Sequence, residues 1–378
     1  MAIYKIFPSR DTTLYSLYPD KNSGLDSILE MYNRTNYTDP IYISSAEVAR
    51  SLVGFDTDEI VDVIDNLISS SQWQANLRLY NARTTGIINN SSLYIYPLAQ
   101  DWDNGTGRSD DSPQTENGAS WTWNTYNGGT TWTTSSFPSY ATASFPTSNP
   151  GGGVWYTGSA LSLQYEVTQS FPIRAPKDIN SNITDIVSSW YSASIDNYGV
   201  ILKWNSDIEF NPSSSIAPEM SLFSVDTHTI YPPQLEFRWD DYSFNTGSNI
   251  NGFISASQIM ITFPNNKGFF NNESTQKFRL DVRPQYPVRT FQTSSFYIKN
   301  YYLPTSSFYA IKDLDTNEFV VDFDETYTKI SADSEGNYFK IFMNGLQPER
   351  YYKILIKTNI DGEILVIDDN NYFKVING

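Results

Sequence analysis

The sequence predicts an all-β protein with two short helices, a first β-sandwich followed by an immunoglobulin/fibronectin-like β-sandwich. Three observations lead there. Segments such as Ala75-Asn-Leu-Arg-Leu-Tyr80 alternate apolar and polar residues at period two, the spacing of a half-buried antiparallel strand. Helical periodicity is confined to two short stretches. From residue 252 onward, short runs rich in β-branched and aromatic residues follow one another, and Asp361-Gly362 between "ILIKTNI" and "EILVID" is a two-residue hairpin signal.

Taken in order, "RDTTLY" begins at Arg10, and Ala49-Arg-Ser-Leu-Val-Gly-Phe-Asp56 reads as a strand entering a helix. Asp56 is placed to cap that helix, with Glu59 three residues on, and Ile60, Val63, Ile64, Leu67 and Ile68 fall on one face. The strand at residues 75–80 comes next, then a long insertion over residues 101–158. A second helix follows, with Asn182 as expected N-cap and Ile183, Ile186, Val187 and Trp190 at i, i+3, i+4 and i+7. Asp196-Asn-Tyr-Gly199 is a turn feeding the strand Val200-Ile-Leu-Lys203, and "PQLEFRW" is the closing strand, ending at Trp239.

Residues 241–251, in "DDYSFNTGSNIN", read as a linker between a domain over residues 1–240 and a second over residues 252–378. Strands are expected there at "FISASQIMITF", "KFRLDVRP", "SSFYIKNYY", "FYAIKDLD", "EFVVDFD", "NYFKIFM" and "YYKILIKTNI". About seven or eight strands at this spacing suit an immunoglobulin-like sandwich.

Three resemblances bear on function. "RDTTLY", "ARSLVGFD", "ANLRLY", "QDWDNG" with "ASWTWN", "ITDIVSSWYSASIDNYGVILK" and "PQLEFRW" occur in an order that resembles the DNRLRE-type (disaggregatase-related) β-sandwich module over roughly the first 240 residues. The resemblance implies a jelly-roll-like module that binds or displays rather than catalyses; the long insertion departs from its pattern. "GLQPERYYKILIK", from Gly345, is similar to the Gly-Leu-x-Pro-x-x-x-Tyr corner of fibronectin-type domains, which implies a core-sealing tyrosine. "RPQYPVRTFQTSSFYIKNYYLPTSSFYAIKDLDTNEFVVDF" resembles structural proteins of contractile-tailed marine phages, including those of cyanobacteria. That implies a virion protein of tail, baseplate or neck, docked to other virion proteins in several symmetric copies or as a homo-oligomer, made in the host cytoplasm and released at lysis.

Composition excludes several chemistries. With no Cys there are no disulfides, thiolate nucleophiles or thiolate metal sites, and His228 is the one imidazole, so a multi-His metal site within one chain is ruled out. His228, just before the closing strand, and Trp190 on its helix are assigned to the interior. A net charge of -17 with no basic stripe speaks against direct nucleic-acid binding. The start of the chain lacks the apolar segment of a secretory signal and no run reaches membrane-spanning length, so no membrane insertion is expected. No cofactor or catalytic residue is singled out: acidic pairs for a polysaccharide depolymerase abound, but no spacing marks one.

The candidate binding residues are the insertion aromatics Trp121, Trp123, Tyr126, Trp132 and Trp155, whose flat faces suit sugar rings of a host surface glycan and equally suit burial, the favoured reading. Trp121 and Trp123, two apart, are expected on one side of a strand. Asp101-Trp-Asp-Asn-Gly-Thr-Gly-Arg-Ser-Asp-Asp111 gathers oxygen ligands of the kind Ca²⁺ takes, but it places Gly fifth rather than sixth and lacks the closing Glu of an EF-hand, so an ordinary acidic loop is favoured.

Overall fold

The computed structural model describes residues 2–35, 46–87, 91–126, 129–132, 141–142, 151–156, 165–172, 176–205, 209, 217–247, 252–256, 258–286 and 301–378. It is an all-β, sandwich-like fold with two α-helices. The chain divides into two compact units. The first comprises Ile6–Leu67 and Gln74–Glu236, the second Met1–Lys5, Ile68–Trp73 and Phe237–Gly378.

The first unit is built on a curled, eight-stranded antiparallel sheet, a half-barrel. Its order is Val167–Ser170, Ser92–Pro97, Val200–Trp204, Ala46–Gly54, Ile28–Thr35, Glu219–Phe223 and Asn81–Thr85, and Arg10–Tyr15 also pairs with Ala46–Gly54. Val200–Trp204 is buried at every residue, Lys203 included, because strands flank it on both sides. Gly199 enters it at φ +88°, and a Cβ there would lie 2.3 Å from the Val53 carbonyl oxygen, so the turn requires glycine.

Helix α1, Thr57–Asp62, starts where expected: the Asp56 carboxylate accepts from the Asp58 and Glu59 backbone N–H groups at 2.8 and 3.3 Å. Ile60 and Val63 are buried, but the chain then widens into a π-helical turn, Val63–Leu67. The extra residue in that turn rotates the apolar stripe, leaving Ile64, Leu67 and Ile68 half-buried. Helix α2, Thr184–Tyr191, buries Ile186, Val187 and Trp190 together with Ile183 just before it. The N-cap is Ile183, which has no side-chain cap bond, rather than the expected Asn182; Asn182 stands one residue earlier, at the end of the strand Ile179–Asn182, where its Oδ1 accepts from the Thr184 N–H at 2.9 Å.

The second unit packs two sheets over an apolar core. One runs Ile259–Thr262, Thr275–Pro284, Gly336–Phe342, Ser331–Asp333; the other runs Phe269–Asn271, Tyr372–Ile376, Tyr351–Ile360, Phe308–Asp313, Phe319–Val321, with Glu363–Ile367 also on Tyr351–Ile360. Aromatic rings dominate the interior: Tyr309 stacks on Phe339 at 4.2 Å, and Phe278 on the other flank of Phe339 at 5.7 Å. Tyr352 is buried and its hydroxyl donates to the Gln347 carbonyl at 2.9 Å, sealing the corner. At the expected hairpin Ile360 pairs with Glu363 and both turn residues have positive φ, Asp361 at 51° and Gly362 at 90°, as a type I′ turn demands.

Two sequence expectations need restating. The expected strand "SSFYIKNYY" falls almost wholly on residues 287–300, outside the described residues. In the expected linker, Ser243 and Asn245 are hydrogen-bonded to Ala332, so this stretch joins the edge of the second unit's sheet.

Candidate binding surfaces

The insertion aromatics separate into two groups. Trp121, Trp132 and Trp155 are buried; Trp132 Nε1 donates to the Ser120 carbonyl at 2.9 Å, while Trp121 and Trp155 flank a charged cluster in the first unit. Arg50, from the strand Ala46–Gly54, meets Glu209 through two hydrogen bonds, Nε to Oε1 at 3.2 Å and Nη2 to Oε2 at 2.9 Å, and its Nη1 donates to the Gly152 carbonyl at 2.6 Å. Lys203 Nζ lies 3.1 Å from Glu209 Oε2 and donates to the Trp204 carbonyl at 2.6 Å. The Trp121 and Trp155 rings lie 5.0 and 5.3 Å from the guanidinium. Burial pushes the Lys203 ammonium pKa down, against the pull of Glu209. Gly151 and Gly152 have positive φ, and a Cβ on Gly151 would lie 2.0 Å from the Trp121 carbonyl oxygen, so the chain closes over Trp121 only with glycine there. These three indoles face the interior and offer no sugar platform.

Trp123 and Tyr126 are only half-buried. The strand Trp123–Thr125 begins after a bend at Trp121, so Trp121 and Trp123 do not share a strand face, contrary to the spacing argument. Trp123 Nε1 donates to Asp20 at 2.8 Å, the Tyr126 hydroxyl donates to Glu116 at 2.9 Å, and the two rings meet edge-on at 5.6 Å. The Glu116 bond holds the Tyr126 hydroxyl above its ordinary pKa. Leu17 and Tyr18, both exposed, belong to the loop that carries Asp20.

The Asp101–Asp111 loop is held by side-chain amides. Asn22 uses all four hydrogen-bonding positions, donating to the carbonyls of Asn104 and Ala119 and accepting from the N–H groups of Gly24 and Gly107. Asn104 in turn donates to Gly24 and accepts from the Asp11 N–H. Asp101 pairs with Arg10 at 2.8 Å, and Asp111 accepts from the Arg108 N–H and the Thr115 hydroxyl. Among the described residues no three acidic or imidazole side chains are grouped to hold a metal ion.

Sequence reasoning missed Asp11, buried in "RDTTLY". Its Oδ2 accepts from the Val225 N–H at 2.7 Å while Oδ1 has no hydrogen-bond partner among the described residues. Burial, joined by the nearby Asp226, pushes its carboxyl up to about 7. The assignment of His228 to the interior is corrected: its ring is exposed. The Thr227 hydroxyl accepts from the Thr229 N–H, and the Thr229 hydroxyl from the Tyr231 N–H, so local side-chain bonds fold this segment into a surface turn. Trp190 is buried. A cavity of ≈ 20 Å³ in the second unit, lined by Ile3, Tyr309, Ile311, Val321 and Leu346, has room for about one water.

No family model and no curated protein match the chain. Among solved structures it is similar, at a TM-score of 0.16 and 9% identity, to a DUF4785 family protein from Legionella pneumophila, covering 99% of this chain and 65% of that one. Parabacteroides merdae β-glucuronidase gives a TM-score of 0.16 at 9% identity, covering 96% of this chain and 36% of that one. Likenesses this weak carry no argument about fold or activity.

Proposed function

We propose that this chain is a non-enzymatic structural protein of a phage virion, a part of the tail, baseplate or neck that docks to other virion proteins. The observation that carries the reading is the fate of the reactive groups: Arg50 and Lys203 share Glu209 as their buried counter-charge, with the Trp121 and Trp155 rings against the guanidinium. Their ionic capacity goes into locking strands and insertion together. The order of DNRLRE-like segments and the phage-like C-terminal stretch support the same reading, as do two aromatic-packed β-units that present broad rigid surfaces. Mass spectrometry of purified virions tests it. The chain is expected at several copies per particle, and its absence from virions would remove the proposal. Purified protein is expected to release no reducing ends from host exopolysaccharide.

A second reading is recognition of host surface glycan, which Trp123 and Tyr126 favour because both rings are half-exposed while their polar tips are oriented by Asp20 and Glu116. Under it, Trp123→Ala with Tyr126→Ala lowers adsorption to host cells and abolishes glycan-array signal without changing the melting temperature by more than a few degrees. Unchanged adsorption rejects this surface.

A further inference from the structure

Among the described residues, twelve large apolar side chains are exposed, and six of them belong to a single face: Phe269, Phe319, Tyr351, Ile364, Val366 and Tyr372. The pairing registers put them together. Ile364 and Val366 lie opposite Asn359 and Lys357, Tyr372 opposite Lys353, Tyr351 and Phe269 opposite Lys374, and Phe319 opposite Lys312. Paired residues share a side of a sheet, so all six point away from the second unit's core, which takes the alternate residues Tyr352, Ile354, Ile356 and Ile360. Exposed apolar side chains gathered on one face, here interleaved with lysines, mark a surface that takes a partner.

The edge of this sheet is lightly guarded. In Glu363–Ile367 the side chains exposed to solvent are Glu363, Ile364 and Val366, the last two at 68% and 58%, so a single carboxylate at the hairpin end is the strand's only charge, where an edge strand ordinarily carries lysine, proline or a bulge. The type I′ turn makes Ile360 and Glu363 a hydrogen-bonded pair, so Ile364 and Val366 aim their own N–H and C=O groups outward.

The charge on the face identifies the partner. Lys312, Lys353, Lys357 and Lys374 stand among these apolar residues. Lys353 pairs with Asp368 and Lys374 with Glu349, but Lys312 and Lys357 rest over the Phe319 and Phe308 rings with no carboxylate in ion-pair range among the described residues. The rest of the chain has the opposite sign: residues 237–378 hold 14 basic and 17 acidic side chains, a net -3, which leaves 11 and 25, a net -14, in residues 1–236. Pairing two such faces would set lysines against lysines, whereas the acidic N-terminal part of another copy complements them.

We propose that the outer face of this sheet docks onto the acidic N-terminal part, residues 1–236, of a second copy, in a heterologous, head-to-tail contact of the kind that builds rings or filaments. The proposal gives a contact surface to the structural role inferred above and rests on it. Sedimentation velocity of the full chain tests it independently of virion content, at about 50 and about 500 mM NaCl, since surface charge is screened over this range. Concentration-dependent oligomers are expected at low salt, weakening at least about tenfold at high salt. Lys312→Glu with Lys357→Glu, and separately Ile364→Ser with Val366→Ser, are each expected to shift association by about tenfold or more while the melting transition persists. A chain that stays monomeric at low salt overturns the proposal, even if it binds dextran sulfate through the same lysines, which would assign the face to an anionic glycan. Variants that self-associate like the parent overturn it too. Association that strengthens with salt and with charge reversal overturns it in favour of apolar face-to-face pairing.

Discussion

The first unit buries charge where the second buries rings. In the first, Arg50, Lys203, Glu209 and Asp11 are all inside, and two strands depend on Glu209 for a counter-charge and on the Gly152 carbonyl of the insertion for a further hydrogen bond. In the second, Phe278, Phe339, Tyr309 and Phe373 fill the interior, and in its ion pairs Arg279–Asp333 and Arg350–Asp313 the guanidinium side chains remain partly exposed even where the Asp313 carboxylate is buried. Buried charge stabilises only as a complete set, because each member lost strands the others in a medium that cannot solvate them. An apolar core degrades by degrees. The first unit is therefore expected to respond sharply to single charge deletions and to pH, and the second to lost volume.

The largest expected effect is that of Glu209→Ala, which leaves Arg50 and Lys203 buried without a counter-charge and costs about 3–5 kcal/mol of the first unit's stability. Urea unfolding followed by hydrogen exchange should show that loss in strands Ala46–Gly54 and Val200–Trp204 with the Phe339 region unchanged. A uniform loss across both units would break the contrast.

Next comes pH. An unfolded aspartate titrates near 3.9, whereas the Asp11 carboxyl in the fold is pushed up to about 7, so between those values the native chain holds a proton the unfolded chain has released. Its contribution is present below about pH 4, declines as pH rises and is gone above about 7, a span worth on the order of 2–4 kcal/mol. Asp11→Asn is expected to flatten this decline in thermal melts between pH 5 and 9; an unaltered slope would show that Asp11 does not titrate there. The second unit has the opposite sign. Hydrogen bonds from Arg279, with Lys277 adding, hold Asp333 well below the usual carboxylate range, so that its contribution is lost as pH falls below about 4. The smallest effect is expected from Tyr352→Phe, which removes the bond to Gln347 and leaves the ring in place, a loss of about 1 kcal/mol confined to the second unit.

Local periodicity made much of this fold legible. The face of α2 follows from four apolar residues at helical spacing, the type I′ turn from Asp361-Gly362, and the role of Tyr352 from the Gly345-Leu-x-Pro spacing. Each signal is carried by residues a few positions apart. The charged cluster was illegible because Arg50 and Glu209 are 159 residues apart, and nothing local in either segment calls for the other. Asn22 likewise looks like any turn asparagine until the loop around Asn104 closes on it. The sequence favoured burial for the insertion aromatics but could not sort Trp121, Trp132 and Trp155 from Trp123 and Tyr126, since aromatic residues bury and display with the same composition. It concealed the exposed face of the second unit for the same reason: "EILVID" reads as a core strand, and only the register shows Ile364 and Val366 turned outward.

Because Met1–Lys5 belong to the second unit, the order of synthesis matters. Tyr4 meets Phe342 edge-on at 5.5 Å, and Asn344 Nδ2 donates to the Lys5 carbonyl, a bond spanning 339 residues of chain. The ribosome makes one side of these contacts long before the other, so at about 5–20 residues per second the opening segment waits tens of seconds for its neighbours. A fragment starting at residue 241 would lack that segment, and the synthesis of Phe342 and Asn344 governs when Tyr4 and Lys5 find their place.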